Sequence, residues 1–372
     1  MSEQQTPQTK PRIAVVFGGR SAEHGVSCVT AGSVLAAIDR SRYDVVPIGI
    51  ATDGRWVLEA DDSTRLAITD GKLPEVDPGK AVVSLAGSEI VVREPSEVPR
   101  VMGEVDVVFP LLHGPWGEDG TIQGLLETAG VRYVGAGVLA SAVGMDKHYM
   151  KLLFQAQGLP VTPYVVVTPR EWSGDPNACR ESVATLGFPV FVKPARAGSS
   201  FGISKVDKPA DLDAAIAVAQ RFDPKVLVEG YAAGAREIEC GVLQGLDGGA
   251  PEASVVAEIV VGDDHDFYDF EAKYLPEEAT RLDVPAKVPD DLAERLRELA
   301  VRAFEAIDGE GLARVDFFVL PDDSVVINEI NTMPGFTPTS MFPRMWAEAG
   351  LDYPALVDRL ITLARQRPLG LR

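Results

Sequence analysis

Two apolar stretches of the sequence each carry a pair of polar residues that lie two positions apart. The stretch "VVINEINTMPG" contains Glu329 and Asn331, and the stretch "ARVDFF" contains Arg314 and Asp316. Residues i and i+2 of a β-strand project from the same face about 7 Å apart, so each pair would point into one pocket. Carboxylate and amide oxygens are ligands that Mg²⁺ prefers. The spacing therefore favours a metal site over two alternatives, a polar strand end before a Pro-Gly turn and a buried Arg314–Asp316 ion pair.

A lysine and a loop rich in glycine and serine follow a third apolar stretch, "FVKPARAGSSFGISKV". Lys193 ends the predicted strand, and Gly198, Ser199, Ser200 and Gly202 follow it. Backbone N–H groups and hydroxyls of such a loop can hold phosphate oxygens, and the lysine supplies a positive charge. The spacing is not that of a Walker loop. A plain hairpin turn is the alternative, but it does not explain a lysine within an apolar strand.

Two further loops carry acidic residues. The loop "GGRSAEHGVS" follows the first predicted strand, where α/β sheets bind ligands. Its Glu23 either contacts an ammonium group or caps the following helix. The loop 264–280, "DHDFYDFEAKYLPEEAT", is dense in acidic and aromatic residues. An exposed loop is the default interpretation, but long loops inside compact domains are often functional, so we expect a lid over a cleft.

The bulk composition limits the class of protein. The 372 residues exceed one ordinary hydrophobic core and indicate two or three domains. The net charge of −20 argues against a nucleic acid or an anionic membrane as the main partner, because both require concentrated Lys and Arg. Three widely spaced cysteines indicate neither a disulfide framework nor a zinc site, and they fit the reducing cytoplasm. Residues 1–11 are predicted to be a disordered leader, and no apolar run reaches the roughly 18 residues of a membrane span.

The order of secondary-structure signals predicts the fold. Residues 12–50 read as strand, helix and strand, which is a parallel βαβ unit, and residues 60–100 read as a hairpin and loops. A helix in "DKHYMKLLFQAQGLP" precedes short β-rich segments, which predict a small antiparallel lobe with one helix near 210–220. Further strands, the amphipathic helix "PDDLAERLRELAVRAFEAI" and a C-terminal helix from about Pro343 to Gln366 complete the chain.

Taken together, these motifs resemble those of the D-alanine–D-alanine ligases of the ATP-grasp superfamily. The resemblance runs from "AVVFGGRSAEHGVS" to "NTMPGFTPTSMFP" and covers roughly residues 12–365. The segments "HGPWGEDGTIQG", "VKPARAGSSFGISKV", "YDFEAKY", "RVDFF" and "INEINTMPG" follow in the family's order. Such an ordered set is far more specific than any single motif.

The resemblance implies an α/β protein with an N-terminal parallel-sheet domain followed by two ATP-grasp lobes of α+β character. The implied boundaries are 12–140 for the N-terminal substrate domain, 141–236 for the central small lobe and 237–372 for the C-terminal lobe with its lid. ATP would lie between the two lobes.

The resemblance also implies a role for each candidate residue. The implied ATP-binding residues are Lys147, Lys193, Ser199, Glu229, Tyr231, Glu237 and Lys273, with Asp316, Glu329 and Asn331 as ligands of two Mg²⁺ ions. The implied catalytic residues are Glu23, Ser199, Tyr274 and Arg314. The implied substrate-binding residues are Glu23 and His113 for the first D-alanine, Gly335, Ser340 and Met341 for the second, and Arg314 where negative charge develops. Many relatives carry Arg after the first-loop glutamate, whereas this chain has His24, which leaves the charge of that loop open.

The implied reaction joins two D-alanine molecules through a D-alanyl phosphate, with release of ADP and phosphate, for peptidoglycan precursor synthesis. The alternatives are a D-alanine–D-lactate ligase or another ATP-grasp ligase, and a catalytically idle nucleotide-binding protein. Tyr274 in "EAKY" favours an amine acceptor within the resemblance. The expected setting is a cytoplasmic homodimer that uses ATP and Mg²⁺, with Mn²⁺ as a substitute ion and a monovalent cation as a conceivable activator.

Overall fold

The computed structural model describes residues 10–94, 98–198, 200–261 and 280–369, which form two compact units. The first unit comprises the chain up to Gly117, Thr121–Gly135 and the residues from Asp352 onward. The second unit comprises Glu118–Gly120 and Ala136–Leu351. The predicted leader up to residue 9 and nearly all of the predicted lid lie outside the described residues.

An eight-stranded sheet organises the first unit, in the order β6-β5-β4-β3-β2-β1-β7-β8. Its strands are β1 (Arg12–Gly18), β2 (Asp44–Ile50), β3 (Trp56–Leu58), β4 (Val82–Ala86), β5 (Glu89–Arg93), β6 (Arg100–Glu104), β7 (Val107–Pro110) and β8 (Arg132–Tyr133). Strands β2, β1, β7 and β8 are mutually parallel, which confirms the predicted βαβ unit, and β3 to β6 extend the sheet in antiparallel fashion. The helices between them are α1 (His24–Ala37) and α2 (Thr121–Ala129), with a 3₁₀ turn at Ser63–Leu66.

The first loop depends on a glycine at the end of β1. Residues 13–17 of β1 are fully buried, as expected for a central parallel strand that is covered on both faces. Gly18 follows with φ +88°, and a Cβ there would lie 2.4 Å from the carbonyl oxygen of Ile50. Only glycine fits both this left-handed conformation and this close approach. The chain can therefore turn sharply from β1 into the loop that carries Glu23.

A four-stranded antiparallel sheet forms one part of the second unit, in the order β11-β10-β12-β9. Its strands are β9 (Tyr164–Val167), β10 (Val190–Pro194), β11 (Ser204–Val206) and β12 (Val226–Gly230). The accompanying helices are α3 (Val138–Met145), α4 (Lys147–Ala156), α5 (Pro169–Gly174), α6 (Pro176–Ala184) and α7 (Leu212–Ala219), with a 3₁₀ turn at Pro209–Asp211. The antiparallel segments and the helix near 210–220 are confirmed.

Helices α5 and α6 were not predicted from the sequence. The signal for α5 is nevertheless local, because Thr168 and Glu171 form a reciprocal capping box and Pro169 occupies the first helical position. Asp175 caps α6 by accepting a single hydrogen bond from the N–H of Ala178.

A five-stranded antiparallel sheet forms the rest of the second unit, in the order β15-β14-β13-β16-β17. Its strands are β13 (Arg236–Leu243), β14 (Glu252–Val261), β15 (Thr280–Asp283), β16 (Leu312–Val319) and β17 (Val325–Asn331), with a 3₁₀ turn at Leu246–Gly248. The predicted amphipathic helix is α8 (Asp290–Ala306), whose Leu292, Leu296 and Phe304 join the core beneath β13, β16 and β17. Helix α4 adds Met150 and Phe154 to the same core.

The C-terminal region differs from its prediction. The single helix expected from Pro343 to Gln366 is two helices, α9 (Met341–Glu348) and α10 (Tyr353–Gln366), separated at Gly350, whose φ of +94° ends the first helix. Helix α10 belongs to the first unit, where Arg367 donates hydrogen bonds to the carbonyl oxygens of Tyr133 and Gly135 at 2.9 and 2.8 Å. The boundary of 237–372 implied by the resemblance instead groups this segment with the C-terminal lobe.

Across the described ranges, every helix is too short or too polar to cross a membrane.

Candidate active site

The two polar pairs lie next to each other in the five-stranded sheet. Strands β16 and β17 pair so that Arg314 is opposite Asn331 and Asp316 is opposite Glu329. Residues directly opposite each other in an antiparallel pair project from the same face. The four side chains predicted from their spacing therefore share one face of the sheet.

A β-bulge in β17 adds a residue that the sequence interpretation missed. The pairing shifts between Asp316 and Phe317, so that Phe317 is opposite Ile327 and Asn328 is the extra residue. Ile327 and Ile330 are both buried in the core, whereas the two residues between them are not. A bulge re-aims side chains in this way and is common next to active sites. It places Asn328 and Glu329 consecutively outside the core, which strict alternation would not allow.

Arg314 binds two carboxylates. Its Nε and Nη2 donate to the two carboxylate oxygens of Asp316 at 2.7 Å each, and Nη2 lies 3.2 Å from Oε1 of Glu239 on the neighbouring strand. Burial by itself would lower the pKa of Arg314, but the charges of Asp316 and Glu239 raise it well above its ordinary value. Asn331 Nδ2 donates to Asp316 Oδ2 at 2.9 Å. The ion pair considered as an alternative to the metal site is thus present.

The same face also has the ligand chemistry of a divalent-cation site. Asp316, Glu329 and Asn331 supply two carboxylates and an amide oxygen, and the ammonium of Lys147 lies 3.0 Å from Glu329 Oε2. A cation therefore already balances this carboxylate. Within the described ranges, no three His, Cys, Asp or Glu side chains form a metal-binding cluster. A metal here would take one or two carboxylates and complete its shell with other oxygens, as Mg²⁺ does with phosphates and water.

Lys147 is anchored at the start of α4. Asp146 caps that helix by accepting hydrogen bonds from the N–H groups of His148 and Tyr149. The backbone N–H of Lys147 donates to the carbonyl oxygen of Ala195, and its Nζ donates to that of Ala197 at 3.1 Å. Burial would lower the pKa of Lys147, but the charge of Glu329 raises it above its ordinary value. The residue is therefore a fixed, charged cation at the end of β10.

A second cluster surrounds Glu229 of β12. Lys193 Nζ lies 2.6 Å from Glu229 Oε2, and Lys151 Nζ lies 2.7 Å from Glu229 Oε1. All three side chains are buried. Lys193 also donates to Asn328 Oδ1 at 3.2 Å, and Lys151 donates to Thr162 Oγ1 at 3.0 Å. We call this set of three charged residues, Lys151, Glu229 and Lys193, the Glu229 triad.

Lys151 was not among the residues singled out from the sequence. It follows Lys147 by four positions, so both lysines project from the same side of α4. The sequence "DKHYMK" shows this spacing, but two lysines on a helix are usually solvated. Here Lys151 is fully buried. The burial of this ammonium group depends on the carboxylate of Glu229, which lies 78 positions further along the chain.

Burial and the charges of the triad together shift the pKa values of two of its members. Burial alone would raise the pKa of Glu229, but the charges of Lys151 and Lys193 lower it to about 2. Burial lowers the pKa of Lys151 against the opposing charge of Glu229. Glu229 is therefore ionised at every ordinary pH.

A cavity of about 410 Å³ lies beside the end of β12. Its lining is mostly apolar and includes Gly230 and Tyr231, with Leu320 directly after β16 and Val326 of β17. Tyr231 is partly exposed, its ring centroid lies 5.7 Å from that of Phe191, and the ammonium of Lys205 lies 5.4 Å from it. Such a mainly apolar concave surface with a few polar groups is typical of a small-molecule site.

Glu23 and His113 lie together in the first unit. Glu23 directly precedes α1, but its side chain makes no capping hydrogen bond, so the capping alternative is wrong. A Cβ at Gly114, which has φ +71°, would lie 2.4 Å from Glu23 Oε2. Ser21 Oγ donates to the carbonyl oxygen of His113 at 2.8 Å. Both buried side chains are thus held at the carboxyl ends of the parallel strands β1 and β7.

Two backbone groups contact the imidazole ring of His24. Its Nδ1 lies 2.7 Å from the carbonyl oxygen of Gly19, and its Nε2 accepts a hydrogen bond from the N–H of Val76 at 3.1 Å. These two backbone contacts fix the orientation of the imidazole ring between the first loop and Val76.

Some of the remaining candidates lie within the described residues and others lie outside them. Gly335 and Ser340 are close, since a Cβ on Gly335 would lie 3.2 Å from Ser340 Oγ, while Met341 packs in an apolar cluster with Met345. Glu237 lies on β13 opposite Phe318. Substrate contacts of these residues stay predictions. Ser199, Lys273 and Tyr274 lie outside the described residues.

Comparisons with known proteins show which family the chain is similar to. Residues 12–136 match the family model for the D-ala D-ala ligase N-terminus, and residues 153–362 match that for the D-ala D-ala ligase C-terminus. The chain is 60% identical to a D-alanine–D-alanine ligase of Streptomyces griseus subsp. griseus, covering 99% of this chain and 96% of the relative. It is 59% identical to that of Pseudarthrobacter chlorophenolicus, covering 98% and 96%.

Two solved structures share the fold over nearly the whole chain. The VanG D-Ala:D-Ser ligase from Enterococcus faecalis has a TM-score of 0.82 at 34% identity and covers 96% of this chain and 100% of its own. The D-alanine-D-alanine ligase from Coxiella burnetii has a TM-score of 0.80 at 32% identity and covers 96% of this chain and 94% of its own. From its sequence and its fold, the chain belongs to the D-alanine–D-alanine ligase family.

Proposed function

We propose that this chain joins two D-alanine molecules into D-alanyl-D-alanine, with conversion of ATP to ADP and phosphate. The observation that carries the proposal is the pair of charge clusters in the second unit, the Glu229 triad and the face that bears Arg314, Asp316 and Glu329. The first suits an anionic nucleotide and the second suits a metal and developing negative charge.

The chemical difficulty is that a carboxylate is a poor electrophile. Transfer of the γ-phosphoryl group to the carboxylate of the first D-alanine gives an acyl phosphate, which the neutral amine of the second D-alanine attacks, and phosphate leaves. The chain supplies position and charge rather than a covalent nucleophile. Lys147 and Lys193 neutralise phosphate oxygens, and Arg314 neutralises the negative charge that develops on the reacting carboxyl group.

Asp316, Glu329 and Asn331 are proposed to hold Mg²⁺, which when bound neutralises the phosphate oxygens. Mn²⁺ would be accepted by the same hard oxygen ligands. Lys147 would then exchange its contact with Glu329 for one with the nucleotide, which requires a side-chain movement only. A monovalent activator is tested by exchanging K⁺ for Na⁺ in the assay.

The nucleobase is assigned to the side of the Glu229 triad, where the 410 Å³ cavity and the partly exposed ring of Tyr231 offer apolar surface. Glu237 is assigned to the ribose. The proposed nucleotide-binding residues are Lys147, Lys193, Ser199, Glu229, Tyr231, Glu237 and Lys273.

On the amino-acid side, Glu23 is proposed to hold the ammonium group of the first D-alanine, with His113 beside it. Gly335, Ser340 and Met341 are assigned to the second D-alanine. Ser199 and Tyr274 are assigned to hydrogen bonds that connect the loop 264–280 to Glu23. A closed loop would protect the acyl phosphate from water.

Phosphate release measured with ATP and D-alanine, L-alanine or mixtures of D-alanine and D-lactate tests the proposal. We expect release that depends on D-alanine, with D-alanyl-D-alanine as the product and the hydroxy acid used poorly. Hydroxylamine added during turnover should trap D-alanine hydroxamate. Release without any dipeptide would indicate an idle nucleotide-binding protein, and a depsipeptide as main product would indicate another acceptor.

Oligomeric state and cellular role complete the proposal. We propose a homodimer that acts in the cytoplasm on peptidoglycan precursors. Sedimentation of the purified chain would contradict the proposed homodimer if it gave the mass of a single chain. Loss of the chain in cells should deplete D-alanyl-D-alanine from precursors if the second part is right.

A further inference from the structure

The Glu229 triad contains more positive charge than its carboxylate needs. One carboxylate, Glu229, contacts two ammonium groups, at 2.7 Å to Lys151 and 2.6 Å to Lys193. A buried ion pair recovers the cost of desolvation only when its geometry is good and additional hydrogen bonds satisfy the remaining polar atoms. A second buried lysine adds a desolvation cost that the stability of the fold alone does not require.

The two lysines differ in their surroundings. Lys151 is fully buried, and its described contacts are Glu229 and Thr162, both within the protein. Lys193 ends β10, retains some exposure and also contacts Asn328 on the strand that carries Glu329. Lys151 is therefore the internal partner of Glu229, and Lys193 is the partner that faces the proposed nucleotide.

We propose that Lys151 is a positioning residue that neutralises Glu229, so that the positive charge of Lys193 remains available to the phosphates of the nucleotide. Without Lys151, the ion pair of Glu229 with Lys193 would have no net charge. With Lys151, the three residues carry a net charge of +1 at the place where a polyanion binds. The inference rests on the proposed nucleotide site.

A purely structural role makes a different prediction. If Lys151 only satisfies a buried carboxylate, its loss should loosen the fold and weaken every nucleotide ligand to the same degree. If it protects the charge of Lys193, its loss should weaken ligands with phosphates and spare those without. The ratio of ADP affinity to adenosine affinity separates these cases, because adenosine has the same base and ribose but no phosphate.

The experiment measures this ratio by titration calorimetry or competition for the full chain and three variants, Lys151→Met, Glu229→Gln and the double variant. We expect Lys151→Met to lower the ratio by about 10- to 100-fold, the range for losing one buried charge interaction. Glu229→Gln should keep or raise it. The double variant restores a net charge of +1 to the three positions of the triad. Its ratio of ADP affinity to adenosine affinity should therefore return to within about threefold of the wild-type ratio.

Two results would overturn the inference. One is an unchanged ratio in Lys151→Met, and the other is a double variant that stays as low as the single one. If Lys151→Met does not fold, the comparison of Glu229→Gln with the double variant decides, because the inference requires a lower ratio in the double variant. Kinetics give an independent readout, since KM for ATP should rise in Lys151→Met while KM for D-alanine stays. A wild-type chain that binds no ADP would instead overturn the proposed nucleotide site itself.

Discussion

The two charge clusters of the second unit have opposite excesses. In the Glu229 triad, two lysines surround one carboxylate, whereas Arg314 alone lies between the carboxylates of Asp316 and Glu239. A cluster with excess positive charge attracts anions, and one with excess negative charge attracts cations. The comparison matches the proposed function, which assigns the first cluster to phosphate and the second to metal.

The largest effect is expected from the second cluster, which we call the acidic cluster and which comprises Arg314, Asp316, Glu239 and Glu329. Glu329→Gln removes a ligand charge without changing the volume of the side chain, so turnover should fall by about 100-fold or more while the fold is retained. Turnover measured over a range of Mg²⁺ concentrations checks this. Glu258→Gln is the control, because Glu258 is an acid of the same sheet that is paired with Arg236 outside the candidate site. Near-normal turnover of Glu329→Gln at limiting Mg²⁺ would show that Glu329 is not a ligand.

The next effect is expected from the Glu229 triad. Lys193→Met should raise KM for ATP by about 10- to 100-fold, because one charge interaction with phosphate is lost. Thermal stability should change little, since Lys151 still compensates Glu229. The exposed Lys208→Met is the matched control and should leave KM unchanged. If the rise in KM for ATP in Lys193→Met is accompanied by an equally large loss of thermal stability, this lysine serves the fold rather than the nucleotide.

The pH dependence of stability offers a third way to compare the clusters. The pKa of Glu229 is about 2 in the folded chain against an ordinary value of 4.5, so folding favours its ionised form. The contribution of ionised Glu229 to the free energy of unfolding is complete above about pH 4.5. It is lost as the pH falls towards 2 and amounts to about 3 kcal/mol at most.

Glu229→Gln should therefore flatten the fall in unfolding free energy between pH 4.5 and 2. Urea unfolding at several pH values measures this slope. Glu171→Gln is a suitable reference, because Glu171 is exposed to solvent and carries only a local capping interaction. If both variants give the wild-type slope, the ionisation of Glu229 is not coupled to folding.

The smallest effect is expected from the thiols. Burial raises the pKa of Cys240, which follows Glu239 on β13, to about 12, and it raises that of Cys28 to the same value. Neither forms a reactive thiolate near neutral pH. Iodoacetamide at pH 8 should leave both unmodified in the native chain and turnover unchanged, as mass spectrometry and the phosphate assay can show. Modification of Cys240 with loss of turnover would place a reactive group in the acidic cluster.

Much of the fold could be predicted because the relevant signals are local. The apolar run before Gly18, the amphipathic period of α8 and the alternation along β16 each depend on neighbours within a few positions. The same holds for the polar pairs of the acidic cluster, because spacing along a strand dictates which side chains share a face.

What the sequence by itself determined is thus the residue types, their spacing and the order of motifs that identify the family. Only the tertiary structure decided the bulge that brings out Asn328, the burial of Lys151 against Glu229 and the place of α10 in the first unit. The physical reason is the same in each case. Strand register, the desolvation of a charge and the docking of a terminal helix are set by partners tens to hundreds of positions away, and no local pattern contains them.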